Sequence, residues 1–254
     1  MPQKFKYTSD LHGHSIYSDG KCSPSEIVDI AVQNKIDIIA LTDHNNTLGL
    51  KEFEDKINST NNIIGISGIE VSTEFGHIIF LFENANDAIE FAKNIDKDGK
   101  NKLANVINSS KKFSKYIIIP HPEVPFIGSF SYESIEDYKN NYPKEWNMTG
   151  IEALNGESLI MPTFMLKKHN ELSKINTKQG WNRKLFGNSD YHSKNSIGVG
   201  VTDLESSFEI NTAKDFIENI KNGTNGKITT KKRLSKYQIA YEYAGLIKNV
   251  IVKA

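Results

Sequence analysis

The chain has 254 residues, with 31 lysines and arginines balanced by 31 aspartates and glutamates. That length suits one large α/β domain, and the balanced charge excludes the extended basic field needed to hold a long nucleic acid. A single cysteine, Cys22, excludes an internal disulfide and points to a reducing compartment, with the cytoplasm as the default.

The opening residues Met1 to Tyr7 are polar and contain no apolar h-region, so no secretory signal is expected. No window approaches the ~18 to 20 apolar residues of a membrane-spanning helix, so a membrane is not expected as a partner. Short apolar runs then alternate with segments of helical periodicity, which predicts repeated βα units around a mainly parallel sheet. Strands are expected at residues 7–14, 36–42, 63–71, 117–120, 150–154, 185–189 and 198–202. Between the first two, Ser23-Pro24-Ser25-Glu26 supplies an N-cap hydroxyl, a proline at the first helical position and an acidic first turn. Ile27, Ile30, Ala31 and Asn34 share one face of the helix that follows. Further helices are expected at 48–57, 85–94, 103–113, 164–174 and 212–220, with a terminal helix over 231–252 closing the fold. One segment breaks the rhythm. Residues 65–71, the turn Ser72-Thr73-Glu74-Phe75-Gly76 and residues 77–82 read as a hairpin that brings Glu70 and His77 together. No internal repeat or linker interrupts the chain, so residues 1–254 are expected to form one barrel domain, with the metal motifs in 7–202 and a closing segment in 203–254.

Six of the seven histidines fall in short segments at predicted strand ends, beside carboxylates. In order these are Asp10-Leu11-His12-Gly13-His14 with Ser18-Asp19-Gly20, Leu41-Thr42-Asp43-His44, Gly68-Ile69-Glu70-Val71-Ser72, Gly76-His77, Pro120-His121-Pro122, and Gly187-Asn188-Ser189-Asp190-Tyr191-His192. In a parallel βα fold the carboxyl ends of strands converge on one crevice, so residues distant in sequence can share a site. His12 and His14, one residue apart, point to the same side of an extended strand, and Asp190 and His192 repeat that spacing. Imidazole and carboxylate without thiolate suit zinc, manganese or iron. His169, on the lysine-rich stretch Lys167-Lys168-His169-Asn170, is expected instead to be a hydrogen-bonded core residue, and Asp43 to cap a helix or orient His44.

No Gly-x-Ser-x-Gly elbow or Gly-rich Lys-Ser/Thr loop is present, so metal-activated hydroxide is the expected nucleophile. Asp19, His44 and His192 are candidates for catalytic roles overlapping metal ligation, with His44 or His192 protonating the leaving oxygen. Arg183, Lys194 and Lys144 are candidates to grip phosphate, and Asn155-Gly156-Glu157 to line the mouth. Phe126, Phe130, Tyr132 and Trp146 either form a lid that stacks a base or sugar, or pack their segment onto the barrel.

Taken in this order, the motifs from Tyr7 to about Thr202 resemble those of the PHP, or polymerase and histidinol phosphatase, superfamily, and its stand-alone phosphoesterases most closely. The resemblance implies an α/β fold, a distorted (βα)7 TIM-like barrel of the PHP type, with two or three divalent metal ions (Mn, Fe or Zn) at the carboxyl ends of its strands. It implies that His12 and His14 bind a first ion with Glu70 and Asp190, that Glu70 bridges to a second ion held by His77 and His121, and that Asp19, His44 and His192 surround a third. Where many members carry histidine this chain has Asp19, a harder oxygen ligand. The implied activity is metal-dependent hydrolysis of a small phosphorylated metabolite, a nucleotide or a short oligonucleotide end. The alternatives are a histidinol-phosphate-type phosphatase, an amidohydrolase-like hydrolase and a non-catalytic metal-binding domain. Nothing in the sequence sets an oligomeric state.

Overall fold

The computed structural model describes residues 4–222 and 227–229. Strand and helix follow one another as β1 (Phe5–Asp10), α1 (Pro24–Gln33), β2 (Ile38–Leu41), α2 (Leu50–Asn58), β3 (Ile64–Thr73), β4 (Gly76–Phe82), α3 (Ala85–Ala92) and α4 (Leu103–Ser110). They continue as β5 (Tyr116–Ile119), α5 (Tyr132–Asn141), α6 (Pro143–Trp146), β6 (Thr149–Asn155), a 3-10 turn (Glu157–Ile160), α7 (Lys167–Asn170) and α8 (Leu172–Lys178). The last described elements are β7 (Leu185–Asn188), β8 (Val201–Ser206), α9 (Ala213–Asn222) and β9 (Lys227–Thr229). Among the described residues no helix is long and apolar enough to cross a membrane.

The strands form one sheet in the order β7-β6-β5-β4-β3-β2-β1-β8-β9. Pairing is parallel from β1 to β3 and from β5 to β7, while β4 runs antiparallel to both its neighbours. Strands β1 to β8 curl into a nearly closed TIM-like barrel whose seam, between β7 and the β1/β8 pair, is fastened by side-chain and backbone hydrogen bonds. Leu11 N donates to Asn188 Oδ1 at 3.0 Å, Gly187 N to Thr202 Oγ1 at 2.8 Å, and His14 N to the Tyr191 carbonyl at 2.8 Å.

The period of two along each strand sorts its residues between the barrel interior and the helical coat. Ile39, Leu41, Ile69, Val71, Ile78, Phe80, Ile117, Ile119 and Ile151 pack outward among residues of the helices. Ile38, Ala40, Ile66, Ile79, Leu81 and Ile118 fill the interior, where Phe216, Ile217 and Ile220 of α9 join them. Continued two residues at a time, the inward register runs from Ile66 through Gly68 to Glu70, and from Ile79 back to His77. The interior is therefore apolar toward α9 and polar at the opposite end.

Local signals are realised where the sequence placed them. Ser23 and Glu26 form a capping box on α1, each side chain bonded to the other's backbone N–H. The hairpin forms with Ser72 opposite His77. Three expectations shift. The strand expected at 198–202 is β8, which starts at Val201 because Gly198 turns at φ +80° and gives its N–H to Asp10 Oδ2. The helix expected at 164–174 is the separate α7 and α8, with Glu171 between them. The segment after Pro-His-Pro holds two unforeseen helices, α5 and α6, with Ser131 capping the first; Phe130, just before α5, and Trp146, at the end of α6, are buried. The terminal helix expected at 231–252 lies outside the described residues.

Gly13 has a steric duty, since a Cβ there would stand 2.3 Å from the ring of Tyr191, which is flanked by Asp190 and His192. Gly13→Ala is expected to cost about 1–3 kcal/mol through overpacking. Urea unfolding of the metal-free protein checks this, and a stability equal to the parent's would contradict the packing.

Candidate metal centre

Glu70 is the hub. Its Oε2 lies 3.3 Å from His12 Nε2, 3.2 Å from His14 Nε2 and 3.1 Å from His44 Nδ1. Its Oε1 lies 3.1 Å from His77 Nδ1 and 3.3 Å from His121 Nε2. Asp190 Oδ1 faces His12 Nε2 at 3.3 Å and His14 Nε2 at 3.2 Å. To one side, Asp19 approaches His14 Nδ1 at 3.7 Å, His44 Nε2 at 3.6 Å and His192 Nε2 at 3.3 Å. The structure thus brings together His12, His14, Asp19, His44, Glu70, His77, His121, Asp190 and His192, in overlapping groups whose donor atoms lie within 4.8 Å of one another.

The donors are close but poorly aligned for bonding each other. His12 Nε2, both ring nitrogens of His14, His44 Nδ1, His77 Nδ1 and Glu70 Oε2 are buried without a hydrogen-bond partner. An unsatisfied buried polar atom costs about 1–3 kcal/mol, so converging lone pairs of this kind need a shared electrophile. Divalent metal ions fit this nitrogen and oxygen donor set.

Burial pushes Glu70 toward its neutral form, but the His12, His44 and His77 charges outweigh it and hold the carboxyl well below the usual range. Asp190 is likewise held low against burial, by His12 and His14. Burial opposes the charged form of His14, yet Asp190 and Glu70 raise it to about 10. His44 moves the other way, to about 4, because burial and the His14 charge outweigh Glu70 and Asp19. Burial and the Asp190 carboxylate lift Glu157 to about 8.

Loops after the strands aim these groups. Asp43 accepts from Ser15 N, Ser15 Oγ and Ser18 Oγ, each at 2.7 Å. It therefore fastens the loop carrying Asp19, where the sequence had suggested a helix cap or an orienter of His44. His192 Nδ1 donates to the Asp190 carbonyl at 2.9 Å, which turns Nε2 toward Asp19. His77 N donates to the carbonyl of Gly128 at 2.6 Å, and a Cβ on Gly128 would stand 2.4 Å from His77 Nε2. His169 is buried outside the cluster with Nδ1 on the Pro122 carbonyl at 2.8 Å, as expected of a core histidine.

The expected phosphate grips do not join the cluster. Arg183 precedes β7, at the barrel end opposite Asp190, and its guanidinium binds the backbone carbonyls of Trp146 and Trp181 while lying over the Trp146 ring. Lys144 is exposed on α6, before β6, at that same end. Lys194 is exposed two residues beyond His192, with its charge directed at Glu26. Glu157 does reach the mouth, 3.8 Å from His192 Nδ1. Sequence reasoning passed over Glu152, whose Oε1 lies 3.2 Å from His12 Nδ1. Its signal was present: a carboxylate on the inward face of a strand whose neighbour Ile151 packs outward.

Fold and donor cluster together define an α/β barrel with a histidine–carboxylate cluster at its carboxyl mouth that could hold metal ions. The chain belongs to the PHP domain family, whose model matches residues 10–192, and a PHP-associated model matches residues 169–225. It is 33% identical over 106 residues to a 3',5'-nucleoside bisphosphate phosphatase of Chromobacterium violaceum, covering 40% of this chain and 37% of that protein. It is 39% identical over 66 residues to a 5'-3' exoribonuclease of Haemophilus influenzae, covering 26% of this chain and 24% of that protein. Both matches therefore span well under half of the relative's length. A solved two-domain protein of Bacteroides vulgatus, described as containing a predicted PHP-like metal-dependent phosphoesterase, superposes with a TM-score of 0.63 at 18% identity, over 89% of this chain and 65% of that one.

The charge pattern makes stability depend on pH when ions are removed. His14 rises from an ordinary 6.5 to about 10 on folding, so its stabilising contribution is complete below 6.5 and lost as pH rises through 10. Glu157 acts with the same sign, its contribution complete below 4.5 and lost by about 8. The chelated protein should melt at progressively lower temperature between pH 6.5 and 10, as read by differential scanning calorimetry. A rising melting temperature across that window would refute the assignment.

Proposed function

We propose that this protein is a metal-dependent phosphoesterase that hydrolyses a small phosphorylated substrate, a nucleotide or the end of a short oligonucleotide. The observation that carries the proposal is the set of buried, unpartnered imidazole and carboxylate atoms converging on Glu70 in a PHP-family barrel. Two or three manganese, iron or zinc ions are the cofactors proposed, with His12, His14, Glu70 and Asp190 holding one, Glu70, His77 and His121 a second, and Asp19, His44 and His192 a third. Bound there, such ions supply Lewis acidity toward a phosphate ester and lower the pKa of a coordinated water.

The chain's own residues then divide the work. Glu70 keeps its negative charge in a buried setting and so offers both oxygens to cations. His44, held near 4, is neutral at pH 7 and acts through a lone pair. Burial and His14 oppose a proton on His192, but Asp19, Glu157 and Asp190 more than compensate and raise its pKa. Where no third ion takes up its Nε2, His192 is therefore the better placed of the two to protonate a leaving oxygen.

The mouth also supports a substrate with a flat apolar part. Ile16, Tyr17, Leu48, Phe75, Phe126, Leu159 and Phe164 are exposed on loops at the carboxyl ends of strands, and among the described residues only Val32 and Phe208 are large exposed hydrophobics elsewhere. Phe126 is 89% exposed and held at φ +70°, unusual for an aromatic residue. The names of the curated relatives, a nucleoside bisphosphate phosphatase and an exoribonuclease, agree with a nucleoside at that surface. A cytoplasmic setting, with Cys22 kept as a buried thiol outside any disulfide, and a single barrel domain over 1–254 belong to the same proposal.

The test is hydrolysis by manganese-, iron- and zinc-loaded protein across phosphomonoesters, cyclic and linear phosphodiesters, and short oligonucleotides. Turnover that falls by more than about 100-fold in Asp190→Ala is expected, since even groups that only orient a ligand are worth about 10–100-fold. Folded, fully metallated protein that cleaves no phosphoester would move the assignment to an amidohydrolase-like reaction or a non-catalytic metal-binding role.

A further inference from the structure

Strand β6 contributes no member of the metal cluster, yet it buries a carboxylate directly behind it. Glu152 has no exposed surface. Its Oε1 accepts from His12 Nδ1 at 3.2 Å and from Asn188 Nδ2 at 2.8 Å. Its Oε2 accepts from the backbone N–H of His121 at 2.8 Å and from Asn155 Nδ2 at 2.8 Å. The Asn155 amide group also reaches Asp190 Oδ2 at 3.0 Å, and Asn188 Oδ1 holds the backbone N–H of Leu11 at 3.0 Å. Two residues in this web, His121 at φ +33° and Asp190 at φ +52°, occupy the left-handed region that L side chains avoid. His121 is held there by donating its N–H to Glu152, and Asp190 by accepting from Asn155.

We propose that Glu152 is a positioning residue of the metal centre, fixing His12 with its proton on Nδ1 and its Nε2 free, clamping the turn at His121, and setting Asp190 through Asn155. One buried carboxylate would thus align donors from three separate strand ends, two assigned to the first ion and one to the second. The proposal rests on the cluster being a metal centre and is independent of phosphoester chemistry. The donor–acceptor balance makes the group chemically specific. Four donors point at its two oxygens, so only an acceptor-only side chain satisfies them. A glutamine must turn its NH2 toward two donors on one side. If it faces His12, the imidazole can accept only by moving its own proton to Nε2, which removes the lone pair aimed at Glu70 and Asp190.

The experiment compares manganese binding by the parent and Glu152→Gln, followed by electron paramagnetic resonance, with near-ultraviolet circular dichroism of the metal-free proteins as the check on folding. A folded variant that binds manganese about 10–100-fold more weakly is expected. A folded variant with the parent's affinity overturns the proposal. A second measurement needs no variant: in the zinc-loaded parent, nitrogen-15 NMR of the histidine side chains is expected to place the His12 proton on Nδ1. A proton on Nε2 overturns the proposal even if Glu152→Gln cannot fold. Parent protein that takes up neither manganese nor zinc would overturn the metal-centre assignment itself, whereas metal binding without phosphoester turnover would leave Glu152's role standing.

Discussion

One carboxylate buried among five imidazoles organises this molecule. Glu70 is 1% exposed, and removing an ionised carboxylate from water costs several kcal/mol even after the surroundings relax. The folded chain offsets that cost by placing His12, His14, His44, His77 and His121 around its two oxygens. Those rings come from the segments after three strands, β1, β2 and β5, and from the start of β4 in the hairpin, so the carboxylate is held only when these strands are assembled in the barrel. The seam, where Asn188 and Thr202 tie β7 to β1 and β8, is for that reason part of the site.

A parallel barrel delivers many side chains to one end, but delivery alone does not aim them. Asn45, His121 and Asp190 all follow strand ends with φ between +33° and +52°. Such backbone costs about 1–3 kcal/mol per residue and persists only where surrounding contacts impose it. Here Asn45 donates its N–H to the Glu70 carbonyl, His121 gives its N–H to Glu152, and the Asp190 side chain is met by Asn155. Sharp turns at the mouth exchange local strain for convergence of donors on a small volume.

The apolar loop residues stand in contrast to the centre they surround. Tyr17, Phe75, Phe126 and Phe164 are exposed on the segments that follow strand ends, and fold alone never fixes substrate. The chain's PHP fold supplies the scaffold, and the proposed preference for a flat apolar group rests on these loops. Arg183, by contrast, is spent on carbonyls and a tryptophan ring at the far end, so a basic residue near a motif in sequence need not be near the site in space.

The sequence by itself determined the βα alternation, the hairpin and the residues of the cluster, because each rests on short-range physics. Alternation of apolar residues marks strands and a capping box marks α1, and although β1 ends at Asp10, short of the strand expected to 14, His12 and His14 still converge on Glu70 and Asp190. Tertiary structure alone decided how the motifs meet: that Glu70 touches five rings, that Asp43 serves the loop of Asp19 and not His44, and that the aromatic segment after His121 folds into α5 and α6 with Phe130 and Trp146 inside. Glu152 shows the division most plainly. Its place on an inward strand face is legible in Ile151-Glu152-Ala153, but its four donors come from β6 itself, from β7, and from the segments after β1 and β5, and only closure of the barrel brings them together.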